Sequence, residues 1–178
     1  MKLKNKNLKI LKSNHVYSEE MEHDACGVGL VASTEGLKSR KVVEYGIDAL
    51  KAVWHRGAID ADGKTGDGAG IHIEIPKDFF EEKIEVTGHK HDNSELCVGM
   101  IFLPRNDYSA QEQCRTIVES ELTKRNFSIY GWRQVPVDPS VLGEKAEQTR
   151  PEITQVLFTY NDQKVFNKSL EKKLYETR

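Results

Sequence analysis

Length, composition and charge narrow the classes of protein to consider. The chain has 178 residues, of which 38% are hydrophobic and 30% are charged, and its net charge at pH 7 is −2. These values predict one ordinary globular domain rather than a repeat or a fibrous protein. A net charge so close to zero excludes general attraction to nucleic acid or to an anionic membrane surface.

Targeting signals and metal clusters are not indicated by the sequence. No apolar run reaches the roughly 20 residues of a membrane-spanning helix, and the Lys-rich start lacks the apolar segment of a secretory signal. The three cysteines have wide spacings that favour reduced thiols over a disulfide framework or a metal cluster: Cys26, Cys97 and Cys114. His72, His89 and His91 are scattered and are predicted to be solvated. We therefore expect a cytoplasmic protein with no metal in this segment.

The first half of the chain predicts two strands and a helix separated by glycine-rich loops. Residues 1–25 are charged and resemble a loosely held leader, with a docked N-terminal helix as the alternative. Residues 26–32 predict a strand, and residues 40–54 predict an amphipathic helix from apolar side chains spaced three and four apart. Ile71, Ile73 and Ile75 alternate with polar residues and predict a half-buried strand that Pro76 ends.

The second half predicts three further strands and two helices. An exposed connection is expected over residues 81–95, after a turn at Phe79 and Phe80. The strands are predicted at residues 96–103, with burial on both faces, 127–137 and 152–160, and the helices at residues 109–124, capped by Ser109, and 164–175. The resulting order of strands and helices is compatible with an α+β fold but does not by itself select one.

Cys26 is the candidate nucleophile. It lies among glycines at the start of an apolar run, but no neighbouring side chain is an obvious base for its thiol. Removal of residues 1–25 would give Cys26 a free α-amine of pKa about 7.7–8.0, able to accept a proton near neutral pH. The structural alternative is a small buried core side chain, the role expected for Cys97 and Cys114.

Arg56 and the loop after it form the second candidate feature. Arg56 follows a predicted helix, where its guanidinium group could bind a carboxylate or the last carbonyl groups of that helix. Residues 65–70 are glycine-rich, but they lack the Gly-Lys-Ser/Thr ending of a phosphate-binding loop and lead into a strand. Asp67 is expected to hydrogen-bond loop amides.

Four motifs carry a family resemblance: Asp24-Ala25-Cys26-Gly27-Val28-Gly29-Leu30, His55-Arg56-Gly57-Ala58, Ala61-Asp62, and Thr65-Gly66-Asp67-Gly68-Ala69-Gly70-Ile71. Together they resemble the start of the large subunit of glutamate synthases, which is a class II glutamine amidotransferase domain. The Cys-Gly and His-Arg-Gly elements occur broadly in class II amidotransferases. The later glycine-rich run and the leader are more specific to glutamate synthases.

The resemblance implies a fold, a site and a reaction. The fold would be a four-layer αββα sandwich of antiparallel sheets, typical of N-terminal-nucleophile hydrolases and incomplete here, with residues 1–25 as a propeptide and 26–178 as part of the amidotransferase domain. Cys26 would attack the glutamine amide, Arg56 would organise the substrate pocket, and Gly57 would allow close backbone approach. The family's oxyanion-hole Asn-Gly pair lies beyond residue 178, so this segment alone is expected to be inactive.

Cofactors and partners follow from the same resemblance. None is expected in this segment, whereas the full-length protein would use FMN and an iron-sulfur cluster to aminate 2-oxoglutarate. Its partners would be glutamine, the downstream synthase domains, and a small electron-donating subunit or ferredoxin. Two alternatives stay open: a class II enzyme of aminosugar, purine or asparagine synthesis, and a non-catalytic amidotransferase-like interaction module.

Overall fold

The chain divides into two units, Met1–Arg56 and Gly57–Arg178, which we describe separately. This computed structural model describes residues 27–53, 57, 59–66, 68–91, 94–162 and 167–178, without the side chains of 167 and 168. The predicted leader therefore lies outside the described residues. Within those ranges no helix is both long enough and apolar enough to cross a lipid bilayer.

Helix α1 (Arg40–Ala52) is the main element of the first unit. The hydroxyl group of Ser39 caps it by accepting a hydrogen bond from the backbone N–H of Lys41 at 3.2 Å. The chain enters the helix after a turn in which Gly36, with a φ of +66°, donates to the Ser33 carbonyl. The helix predicted for residues 40–54 is thereby confirmed.

The strand predicted for residues 26–32 is wrong over its described part. Residues 27–32 have no strand pairing, and the side chains of Val28 and Leu30 are 94% and 91% exposed. An extended segment becomes a stable strand only when a neighbouring backbone accepts its hydrogen bonds. No described residue of the first unit pairs with this segment.

The second unit has an α+β architecture built on one antiparallel sheet. The sheet has the strand order β1-β3-β2. Its elements, in chain order, are α2 (Lys77–Val86), β1 (Leu96–Leu103), α3 (Tyr108–Lys124), β2 (Phe127–Gln134), a short 3₁₀ helix (Pro139–Val141), α4 (Glu144–Thr149), β3 (Glu152–Tyr160) and α5 (Asn167–Thr177).

The central strand β3 fixes the register of both neighbours. It pairs with β1 without interruption, from Leu96 opposite Thr159 to Leu103 opposite Glu152. Its pairing with β2 shifts at Tyr130, where a bulge is followed by Gly131 with a φ of +146°. The bulge keeps the aromatic ring of Tyr130 in the core, where it is only 8% exposed.

Helices cover both faces of this sheet. One face packs against α3 and α5, and its buried cluster consists of Cys97, Leu122, Phe127, Val156, Phe158, Tyr160 and Leu170. The opposite face packs against α2, and its buried cluster consists of Phe80, Ile84, Leu96, Tyr130 and Leu157. Burial raises the pKa of the Cys97 thiol to about 12, which confirms Cys97 as a core residue.

Several predictions for the second unit need correction. The predicted turn at residues 79–80 and the first part of the predicted connection, residues 81–86, lie in helix α2, in which Phe80 and Ile84 are one helical turn apart and both buried. Helix α3 is capped by Asp107, whose carboxylate accepts from the Ala110 N–H at 2.9 Å, and not by Ser109.

Two strand predictions also need correction, one for the whole segment and one for the burial of its side chains. Residues 71–75 do not form a strand, and Ile71 and Ile73 are 47% and 44% exposed, because no described strand pairs with them. β1 has its predicted bounds, but burial on both faces is wrong for Met100 and Phe102, which are exposed.

Candidate functional site

The structure describes one of the three predicted site residues. Gly57 is exposed at the start of the second unit. Cys26 and Arg56 lie outside the described residues, as does Asp67, so their predicted roles stay predictions. The description of the site therefore begins with the loop that follows Gly57.

Residues 59–66 form a tight loop closed at its base. Ile59 and Gly66 face each other in an antiparallel bridge, and the N–H of Asp60 donates to the carbonyl of Thr65 at 2.7 Å. At the tip, the N–H of Gly63 donates to the Asp60 carbonyl at 2.9 Å with a φ of +68°, a conformation that favours glycine. These two backbone hydrogen bonds define the turn between Asp60 and Thr65.

The carboxylate of Asp62 organises the interior of this loop. It accepts hydrogen bonds from the Thr65 hydroxyl at 2.5 Å, the Thr65 N–H at 2.7 Å and the Lys64 N–H at 2.9 Å. These donors, the Thr65 hydroxyl foremost, lower the pKa of Asp62 to about 2, and the backbone N–H of Glu144 contributes to the same shift. Asp62 is therefore ionised at any physiological pH.

A distant segment of the chain holds the loop. Lys145 forms an ion pair with Asp60 at 2.6 Å, and the Glu144 N–H interacts with the Asp62 carboxylate. Gly143 lies so close that a Cβ atom there would overlap the Thr65 hydroxyl and the Asp62 carboxylate. We call residues 59–66 with their contacts to residues 143–145 the Asp62 clasp.

A surface pocket of about 410 Å³ lies at the other end of α4. It is lined by Phe102, Leu103, Pro104, Arg105, Asn106, Gln148, Thr149, Arg150 and Pro151. Glu147 binds Arg150 Nε at 2.9 Å and also binds Arg105, and these two guanidinium groups lower its pKa. Because the arginines already share a carboxylate, we interpret this cluster as a structural link between α4 and the ends of β1 and β3.

One of the three histidines predicted to be solvated is buried instead. His91 has a side chain only 4% exposed, and its Nδ1 lies 3.0 Å from Glu81 Oε1. His72 and His89 are exposed. No group of three or more His, Cys, Asp or Glu side chains in the described part of the chain could hold a metal ion.

The sequence did not predict a structural role for Asp62 and Thr65, which were recognised only as parts of the family motifs. A signal for it was present in the Asp62-Gly63 dipeptide, because aspartate before glycine often bonds the backbone amides that follow it. The contacts with Gly143 and Lys145 join residues that are distant in sequence, 85 positions for Asp60 and Lys145, and no local pattern indicates them.

Comparison with known proteins gives a consistent result. Residues 26–178 match the family described as class-II glutamine amidotransferases. The chain is 52% identical over 172 residues to the NADPH glutamate synthase large chain of Azospirillum brasilense, a match that covers 97% of this chain and 11% of that protein.

Two further relatives are more distant. A chloroplastic ferredoxin-dependent glutamate synthase of Arabidopsis thaliana is 37% identical over 94% of this chain and 10% of its own length. The NADH glutamate synthase of Saccharomyces cerevisiae is 38% identical over 80% of this chain and 7% of its own length. The chain thus spans about a tenth of the length of the relatives it matches.

Proposed function

We propose that this chain, which belongs to the class-II glutamine amidotransferases, supplies the glutaminase activity of a glutamate synthase. The observation that supports this proposal most is the start of the family match. The match begins at residue 26, the cysteine that the sequence alone selected as the candidate nucleophile. We accordingly assign residues 1–25 to a removable leader and residues 26–178 to the amidotransferase domain.

The proposed reaction uses one residue as both nucleophile and base. Once the leader is cleaved, the α-amine of Cys26 accepts the proton of its own thiol, and the thiolate attacks the carboxamide carbon of glutamine. The C–N bond breaks, and the departing nitrogen takes that proton and leaves as ammonia. Water then hydrolyses the glutamyl thioester, which releases glutamate and restores the thiol.

Two further residues would bind the substrate. The guanidinium group of Arg56 would organise the glutamine pocket, because its fixed fork of N–H donors suits a carboxylate. Gly57 would let the backbone approach the substrate closely, since it has no side chain. The exposure of Gly57 in the described structure is compatible with this role.

The rest of the reaction belongs to the longer protein. There, ammonia would aminate 2-oxoglutarate to glutamate, with electrons supplied through FMN and an iron-sulfur cluster, and ferredoxin or an electron-donating subunit as partner. The described cysteines do not fit a cluster, since Cys97 is buried in the sheet core and Cys114 is on helix α3. A cytoplasmic location is part of the proposal and is supported by these free thiols.

The proposal extends to the four-layer αββα sandwich. Residues 96, 98, 100 and 102 of β1 share one face of the sheet because side chains alternate along a strand. Helix α2 covers the Leu96 end of this face, whereas Met100 and Phe102 are 47% and 63% exposed. This open half is where a second sheet would pack.

A substitution at Cys26 in the full-length protein tests the proposal. Cys26→Ala should lower glutamine-dependent glutamate formation by at least about 1000-fold, because the nucleophile is lost, while ammonia-dependent formation stays measurable. Cys114→Ala is the matched control, since Cys114 is a free, partly buried thiol that should leave both activities intact. Equal loss of both activities in Cys26→Ala would contradict the assignment.

Mass spectrometry of the purified protein tests the leader separately. The mature chain should begin at Cys26. An active, glutamine-dependent enzyme that retains Met1 would exclude the α-amine as the base. Ammonia-dependent glutamate formation without any glutamine hydrolysis in the native protein would favour the non-catalytic alternative.

A further inference from the structure

We propose that Asp62 is a positioning residue for the glutamine site, which it serves by holding the loop of residues 59–66, just after Gly57 in the sequence, to residues 143–145 through the Asp62 clasp. This inference rests on the proposed function, because it assigns Gly57 to the substrate pocket. Asp62 would act through the loop that it holds, whose base at Ile59 lies two residues beyond Gly57 in the sequence.

The first support is that the loop cannot move independently of Asp62. The carboxylate binds three donors of the loop itself, one hydroxyl and two backbone N–H groups. The Ile59 to Gly66 bridge closes the base of the same loop, two residues beyond Gly57. The base of the loop is therefore held in place by the bridge, and its interior by the hydrogen bonds to the Asp62 carboxylate.

The second support is that the loop is attached to the sheet by contacts that are distant in sequence. The Glu144 N–H reaches Asp62, and Lys145 binds Asp60 at 2.6 Å. Further along α4, Glu147 binds Arg105 beyond the end of β1 and Arg150 before the start of β3. Helix α4 thus makes polar contacts with the loop near its start and with residues that flank two adjacent strands near its end.

The third support is the fit at Gly143. A methyl group there would overlap the Thr65 hydroxyl and the Asp62 carboxylate, so the two segments are in direct contact with no space between them. The backbone of Gly143 has a φ of −76°, which alanine adopts without strain. Gly143→Ala therefore displaces the loop from outside without changing any residue of the loop.

The expected consequence is a loss of substrate alignment rather than of chemistry. A displacement of about 1 Å in a substrate-positioning group can lower the rate by about 100-fold. We expect kcat/KM for glutamine to fall by about 10-fold to 100-fold in Asp62→Asn and in Gly143→Ala, mainly through KM. Ammonia-dependent activity should not change, since it bypasses the glutamine site.

The experiment uses the full-length protein with matched controls. Asp138→Asn is the control for Asp62→Asn, because Asp138 also accepts from a hydroxyl and a backbone N–H, both of Ser140, and has a lowered pKa, but it caps a separate 3₁₀ helix. Thr65→Ser retains the hydroxyl donor and should keep wild-type kinetics, whereas Thr65→Val removes it and should behave like Asp62→Asn.

Hydrogen exchange provides a readout that does not depend on activity. Peptides that cover residues 57–66 should exchange faster in Asp62→Asn, Thr65→Val and Gly143→Ala, and at the wild-type rate in Asp138→Asn and Thr65→Ser. The double variant of Asp62→Asn with Gly143→Ala should be little worse than either single variant, because both break the same contact.

The outcomes separate this inference from the proposed function. If Cys26→Ala abolishes glutamine use but Asp62→Asn and Gly143→Ala keep the wild-type KM, the positioning role is wrong and the proposed function stands. Unchanged exchange of residues 57–66 in those two variants would also overturn the clasp. If Cys26→Ala retains glutamine-dependent activity, the proposed function fails, and the positioning role fails with it.

Discussion

Strand β3 and residues 71–75 both contain closely spaced apolar side chains, yet only β3 is a strand. Val156 and Leu157 of β3 are each 1% exposed, and both edges of the strand are hydrogen-bonded to neighbours. Ile71 and Ile73 are nearly half exposed, and their segment has no described strand beside it. The two regions differ in partners rather than in composition.

This difference shows what hydrophobic alternation predicts and what it does not. Alternation indicates which side chains would share a face if the segment were extended. It does not supply the second backbone that accepts the hydrogen bonds of a strand, and that backbone can be far away in sequence. Residues 27–32 and 71–75 are described segments in which this second condition is unmet.

A matched pair of substitutions tests the comparison most strongly. Leu157→Ala and Ile73→Ala each replace a four-carbon side chain by one methyl group. Leu157→Ala should lower the free energy of unfolding by about 2–5 kcal/mol because it leaves a cavity between the sheet and α2. Ile73→Ala should lower it by less than about 1 kcal/mol, since the side chain is 44% exposed.

Urea unfolding of the two variants and the parent chain measures both changes. Equal destabilisation by the two substitutions would mean that Ile73 is buried in solution, and the contrast between the two regions would be lost.

Two glycine-to-alanine substitutions test the same comparison, because they show whether each region has space for an added methyl group. A Cβ atom at Gly99 of β1 would lie 2.8 Å from Cγ1 of Val156, so Gly99→Ala should destabilise by about 1–3 kcal/mol. At Gly70 no atom lies within 4 Å of such a Cβ, and Gly70→Ala should be neutral or stabilise by up to about 1 kcal/mol. Thermal unfolding of the two variants distinguishes these signs, and destabilisation by Gly70→Ala would show that its loop is packed.

The sheet could be predicted from the sequence because its signals are local. The bounds predicted for β1 and β3 agree with the structure, and β2 ends at Gln134 rather than at residue 137. Helix α2 was missed because its many charged residues were interpreted as a connection, although Phe80 and Ile84 have helical spacing. The strand order could not be predicted, because pairing of β3 between β1 and β2 depends on contacts that are distant in sequence.

For the site, the sequence predicted the family but not the contacts around Asp62. The cysteine-glycine and arginine-glycine motifs identified the family, which the match over residues 26–178 confirms. The Asp62 clasp was not predicted, because residues 143–145 are distant from the loop in sequence. Gly143 also has no side chain that could suggest a contact. Spatial neighbours of this kind become visible only in the folded chain.

The sheet and the loop of the Asp62 clasp shift pKa values in opposite directions. In the sheet, burial raises the pKa of the Cys97 thiol to about 12, because the charged thiolate is disfavoured away from water. In the loop, hydrogen bonds lower the pKa of the Asp62 carboxyl group to about 2, because its donors favour the charged form. The two shifts thus have different causes, which are the removal of a thiol from water in the sheet and hydrogen bonding to a carboxylate in the loop.

The pH dependence of the loop is the smallest effect we predict. The folded-state pKa of Asp62 lies below its ordinary value of 3.8, so its contribution to folding is complete above that pH and is lost as the pH falls through about 2. Nuclear magnetic resonance should show the amide signals of Lys64 and Thr65 titrating with a midpoint near 2, while the amides of β3 report whether the sheet is still folded. Asp62→Asn should remove this transition. A midpoint near 3.8 would mean that the carboxylate lacks its hydrogen bonds in solution, and the clasp would then not form.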